Sequence, residues 1–228
     1  MNEKAHIGLL FDRIANSYDR LNHLFSLNID SMWRRQAVKQ LQPADHVLDV
    51  AVGTADLAIE MIRKSKAKHV IGLDLSKKMM AIGEQKCKKK NLNVHFLYAN
   101  AQQMPFDANQ FDLVTCAYGC RNFQNLDEAL AEMFRVLKPG GHLLILEFSY
   151  PSNRLIRALY DIYFTHIMPT LGRWLSKDKT AYTYLNHSVK NFCWGRDFVA
   201  HLENAGFIQT HYQTQTFGIS TIYTATKE

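Results

Sequence analysis

Cysteine and proline are scarce in this chain of 228 residues, with four and five copies, and each scarcity excludes something. Cys87, Cys116, Cys120 and Cys193 do not fall into the paired short spacings of a zinc site, and four cysteines in a chain this size make no disulfide framework. They read as reduced thiols of a cytoplasmic protein. No linker, internal repeat or low-complexity tract interrupts the chain, so one domain spanning 1–228 is expected. Long hydrophobic runs are absent too. Nothing approaches the roughly 20 apolar residues of a bilayer-spanning helix, and the run from Ile7 to Phe11 is too short for a secretory signal. Any membrane association is therefore peripheral, at the inner face. The ten histidines are scattered, with no H-E-x-x-H, and there is no G-x-S-x-G elbow. No metal is expected.

A net charge of +6 is compatible with nucleic acid, anionic lipid or mere solubility. The basic runs Lys86 to Lys90 and Arg63 to Lys68 fall at helix ends and turns, where a solvated face explains them. With no aromatic-interleaved basic groove, nucleic acid ranks last among partners.

Apolar residues at Ile7, Leu10, Ile14, Tyr18, Leu21 and Phe25 recur every three or four positions and predict an amphipathic helix within a helical cap over 1–45. Short apolar runs follow at Val47 to Ala51, Val70 to Asp74, Val94 to Ala99, Phe111 to Ala117 and Leu143 to Phe148. Helices are predicted between them at Ala55 to Lys64, Lys77 to Lys90 and Leu126 to Leu137. Strand alternating with helix implies an α/β class with a doubly wound, mostly parallel, Rossmann-like sheet of seven strands. Gln209 to Thr216 and Ile219 to Thr226, either side of Gly218, predict a closing antiparallel hairpin, with a helix near Arg196 to Ala205 before it. The stretch 150–195 breaks the rhythm. It carries an apolar and aromatic segment from Leu155 to Leu175, interrupted at Pro169 after Met168 and resumed at Leu171. That segment is either a buried cap or the wall of a site for a lipidic tail.

The first strand runs directly into Val52-Gly53-Thr54-Ala55-Asp56, the place where an open α/β sheet binds its ligand. Asp74 ends the next strand about twenty residues on, where an acid accepts hydrogen bonds from ribose hydroxyls. Asn100-Ala101 and Ala117-Tyr118 end the third and fourth strands and can flank a base. The turn lacks the G-x-G-x-x-G of a pyrophosphate site, and Asp49 suits the amino group of a methionine moiety rather than a phosphate. These features favour S-adenosylmethionine, with Asp49, Gly53, Thr54, Asp74, Asn100, Ala101 and Ala117 as the expected cofactor residues.

Two blocks carry a resemblance. One reads Tyr18-Asp19-Arg20-Leu21-Asn22 with Ser26 and Trp33; the other runs from Arg135-Val136-Leu137-Lys138-Pro139-Gly140-Gly141 through Leu146-Glu147-Phe148-Ser149. With Arg121-Asn122 and Asn100-Ala101 between them, the chain resembles the ubiquinone and menaquinone biosynthesis C-methyltransferases of the class I S-adenosylmethionine-dependent fold over nearly its whole length. The resemblance implies methylation of a ring carbon of a prenylated quinol, demethylmenaquinol to menaquinol. It departs from the family's usual glycines at Val52 and Ala55, from a His at Asp30, from a Ser at Ala117 and from a His at Tyr223. Val52 and Ala55 are expected at the ligand surface, where they would alter cofactor affinity.

Methyl transfer from a sulfonium is an in-line displacement, so alignment, water exclusion and ionisation of the quinol are the enzyme's tasks. Arg121, beside Asn122, is the expected catalytic cation, or else a surface arginine capping a loop. Tyr18 is a substrate-side residue or part of the core stripe. A homodimer is compatible with the sequence. Other small or lipidic acceptors, or a non-catalytic S-adenosylmethionine-binding protein, remain alternatives. The lack of an Asn-Pro-Pro-Tyr motif at Tyr118 to Asn122 counts against amino-group methylation of DNA or glutamine, and the intact Arg135 to Ser149 block counts against loss of catalysis.

Overall fold

The strand Ala44–Val50 (β1) is solvated at its start and buried over its last four residues, so its apolar run drives it between two layers of helices. A computed structural model describes residues 3–26, 28–168 and 180–228. β1 pairs in parallel with Ala67–Asp74 (β2) on one side and Phe111–Ala117 (β4) on the other. Val94–Tyr98 (β3) extends the β2 edge and Leu137–Phe148 (β5) the β4 edge, both in parallel. Ile208–Gln215 (β6) and Ser220–Thr226 (β7) form the closing hairpin, with β7 antiparallel to β5. The seven-stranded order is β3-β2-β1-β4-β5-β7-β6. The chain winds outward from β1 in one direction and from β4 in the other, so a crevice opens between their carboxyl ends.

The crossover helices Asp56–Arg63 (α3), Lys77–Lys89 (α4) and Leu126–Val136 (α5) lie within two residues of their predicted bounds. Side-chain caps explain two of the starts: Ser76 accepts the Met79 N–H at 3.2 Å and Asn125 the Glu128 N–H at 3.3 Å. β5 starts six residues earlier than expected. Its Lys-Pro-Gly-Gly stretch is drawn into the sheet because Gly140 donates to the Lys227 carbonyl and Lys227 to that of Gly141.

Ahead of β1 lie Glu3–Phe25 (α1) and Ile29–Lys39 (α2), joined through Asn28 at a φ of 61°. α1 packs on α4. Of the expected stripe, Leu10 is buried, and the side chains of Ile7, Leu21 and Phe25 lie outside the described residues. After β5 come Arg154–Ile162 (α6), the π-helical turn Tyr163–Ile167, Thr180–Asn191 (α7) and Arg196–Asn204 (α8). Pro169, Leu171 and Leu175 lie outside the described residues. α6 is not apolar all round: Tyr160 is buried, whereas Leu155, Leu159 and Ile162 stand in solvent. Among the described residues no helix is long and apolar enough to cross a membrane.

Candidate active site

The turn after β1 is built on alternating left-handed residues. Ala51, Gly53 and Ala55 have φ of 55°, 52° and 66°, which turns the intervening side chains away from the crevice. Glycine takes this conformation freely; each alanine costs roughly 1–2 kcal/mol. The expectation that Val52 and Ala55 face the ligand is corrected here. Val52 packs onto β2, where a Cβ at Gly72 would meet its Cγ2 at 2.7 Å, and Ala55 is wholly buried as the N-cap of α3. Neither lines a cavity in the crevice, so these departures from the family pattern are core substitutions.

Asp74 holds the turn. Its two carboxylate oxygens accept from the N–H of Gly53 and of Ser76, each at 2.8 Å. Burial raises its pKa, while the N–H groups of Ser76, Gly53 and Leu75 oppose the rise. Above it a cavity of about 90 Å³ is lined by Gly53, Asp74, Asn100, Ala101, Ala117 and Asn122, among others, and roofed by Gly8, Phe11 and Tyr18 of α1. Five of the seven expected cofactor residues therefore meet in one place. The other two do not. Asp49 lies beneath the turn, accepting from the Thr115 hydroxyl at 2.7 Å and facing the Ala58 N–H in the first turn of α3. Burial pushes its carboxyl up to about 7 against the pull of Thr115, and the neighbouring Asp74 charge adds to the rise. Thr54 donates to Asp19 of α1 at 2.6 Å and accepts from Lys86 at 3.1 Å.

That contact shows how α1 is held, and no sequence signal pointed to it. Asp19 pairs with Lys86 at 3.0 Å, and Asp12 accepts from the Ser76 hydroxyl at 2.5 Å and the Lys78 N–H at 3.0 Å. Gly8 allows the closest approach: a Cβ there would lie 2.5 Å from the Leu75 carbonyl oxygen. With α1 across it, the cavity is smaller than the roughly 300 Å³ of an ordinary small-molecule site. Its polar atoms nevertheless fit a nucleoside, with a carboxylate at the end of β2 and a left-handed glycine beside it.

A second cavity of about 390 Å³ lies beside the first, and Tyr18 and Tyr118 line both. Tyr18 is thus a wall residue rather than plain core, with its pKa raised by burial and lowered by the nearby Arg121 charge. Tyr118 holds a φ of 58°, a costly conformation for a bulky side chain that the adjoining turn imposes. Gly119 follows because a Cβ there would sit 2.6 Å from that of Ala51. Apolar rings dominate the second cavity, including Trp33, Phe148, Tyr160 and Phe164. At its polar end Asp30 accepts from Ser26 and Arg34, both at 2.6 Å. The Tyr160 hydroxyl is buried without a partner among the described residues.

Arg121 is neither a surface cap nor an unpaired cation. On the short turn Cys120–Asn122, its Nη1 donates to Glu147 Oε1 and to the Tyr118 carbonyl, both at 2.6 Å, and its guanidinium lies 5.0 Å from the centre of the Phe148 ring. It lines neither cavity. Its charge reaches Tyr18, Tyr160 and Tyr184. Asn122 donates to the Tyr118 carbonyl at 3.1 Å and accepts from the Tyr184 hydroxyl at 2.8 Å. The remaining departure, Tyr223, is a core residue whose hydroxyl accepts the Gly195 N–H at 2.7 Å, away from both cavities.

Known proteins share the fold and much of the sequence. The fold is similar to that of a solved S-adenosylmethionine-dependent methyltransferase of Thermotoga maritima, with a TM-score of 0.70 at 20% identity over 98% of this chain and all of that one. The sequence is 43% identical over 222 residues to a demethylmenaquinone methyltransferase of Bacteroides fragilis, covering 96% of this chain and 91% of that protein. It is 41% identical over 223 residues to a ubiquinone/menaquinone biosynthesis C-methyltransferase of Geobacter sulfurreducens, covering 96% and 87%. The enzyme is an S-adenosylmethionine-dependent methyltransferase. With the ubiE/COQ5 methyltransferase family matching residues 1–227, the chain belongs to that family.

Proposed function

We propose that this protein methylates a ring carbon of a prenylated quinol, converting demethylmenaquinol to menaquinol. The observation that carries the reading is the pair of adjoining cavities sharing Tyr18 and Tyr118. One carries a carboxylate suited to ribose; the other has aromatic walls for a quinol ring and the start of its tail. The names of the relatives support the same acceptor.

S-adenosylmethionine, when bound, supplies an electrophilic methyl group on a sulfonium. In this reading Asp74 accepts from the ribose hydroxyls with the lone pairs its backbone donors leave open. Gly53 permits close backbone approach, and Asn100, Ala101 and Ala117 flank the base. Asp49 and Thr54 act from below, by supporting α3 and by anchoring α1. On the acceptor side Asn122 orients Tyr118 and Tyr184. The buried Tyr160 hydroxyl lacks a partner among the described residues, and a quinol oxygen supplies one. Arg121 acts through its field, and Glu147 moderates it.

The test is incubation of the purified protein with labelled S-adenosylmethionine and a panel of demethylated naphthoquinols and benzoquinols, reduced and oxidised. Label should enter the reduced naphthoquinol. Label in none of the quinols would overturn the reading.

A further inference from the structure

Leu155, Leu159 and Ile162 of α6 expose 69%, 57% and 52% of their surface, and their spacing places them on one side of the helix. Phe217 is 77% exposed at a φ of 57°, a conformation that bulky residues rarely take. Its turn is tied to the segment entering α6 by the Ser149 hydroxyl, which donates to the Gly218 carbonyl at 2.9 Å. Single exposed apolar side chains are ordinary, but a helix stripe of three beside a fourth is not. Leu159 and Phe217 also line the larger cavity, so the patch rims its mouth. Arg154, exposed next to Leu155, joins no ion pair among the described residues.

We propose that this rim docks the protein on the surface of an anionic lipid bilayer, with the α6 stripe and Phe217 inserted among the acyl chains and Arg154 at the headgroups. The inference rests on the prenylated-quinol reading: a polyprenyl chain stays in the lipid, so the cavity must open towards it. A second copy of the chain seated here would close that mouth. Apolar stripes beside basic side chains bind the interface plane in this way.

Flotation with vesicles of phosphatidylethanolamine and phosphatidylglycerol tests it. The wild-type chain should float. The double variant Leu155→Glu/Ile162→Glu, at two exposed positions outside both cavities, should lose vesicle binding by about tenfold or more while keeping its Tm. It should methylate a short-tailed quinol in solution at the wild-type rate and lose activity on a long-tailed quinol held in vesicles. A wild-type chain that stays with the free protein, or a double variant that floats equally well, would overturn the proposal. So would a dimer that the variant disperses with no vesicle binding by either form. Flotation needs no turnover, so inactivity on every quinol with flotation intact would count against the acceptor and not the docking.

Discussion

The Arg121 guanidinium lies 2.6 Å from the Glu147 carboxylate, and neither side chain reaches solvent appreciably. Removing one member leaves a buried charge unpaired, so Arg121→Ala should cost about 3–5 kcal/mol of stability besides slowing methylation by roughly a hundredfold. Glu147→Gln separates the two effects. It leaves the guanidinium charge uncancelled, which favours the ionised quinol and should move the acid limb of the pH–rate profile downward by about one pH unit. Arg121→Ala should move it upward, with partial rescue at high pH. Acid limbs that coincide with wild type in both variants would make the pair purely structural.

Asp74 serves the turn as well as the ligand. Asp74→Ala should weaken S-adenosylmethionine binding by about 1.5 to 3 kcal/mol and also lower Tm, because the Gly53 and Ser76 N–H groups lose their acceptor. Asp74→Asn keeps an acceptor and should retain more stability than affinity. Calorimetric titration beside thermal unfolding reads both, and unchanged affinity in the two variants would remove Asp74 from the cofactor site.

The buried positions of Val52 and Ala55 predict opposite outcomes for two similar changes. Ala55→Gly relieves a left-handed alanine at a helix N-cap and should raise stability by about 0.5–1 kcal/mol. Val52→Gly empties the space over Gly72 and should cost about 2–3 kcal/mol. Urea unfolding measures each. Equal effects in the two would mean the turn does not hold this geometry in solution.

Asp49 should leave a mark on the pH dependence of folding. Its folded carboxyl lies near 7, above the unfolded value of about 3.9. The folded state therefore takes up a proton, and this stabilisation is fully present below the unfolded pKa. It is lost as pH rises through the folded pKa, at no more than roughly 1.4 kcal/mol per pH unit. Asp49→Asn should flatten that slope in denaturation series between the two pKa values, across about pH 4 to 7. A wild-type slope retained in the variant would assign the titration elsewhere.

Periodicity alone determined the α/β order, the parallel core and the closing hairpin, because apolar runs of strand length between helical stripes have few ways to bury themselves. It also brought out the loop after β1, Asp74 and the ends of β3 and β4, since a doubly wound sheet puts strand ends in one crevice. The tertiary structure decided which way each side chain there points. Left-handed backbone at Ala51, Gly53 and Ala55 sends Val52 and Ala55 into the core and leaves Asp49 beneath the turn, and no composition or spacing encodes a φ angle. The partners of Arg121 and the clamp on α1 were equally hidden. Glu147 is 26 residues from Arg121, and Thr54 is 35 from Asp19. Such pairs exist only after the strands have packed and brought distant loops together.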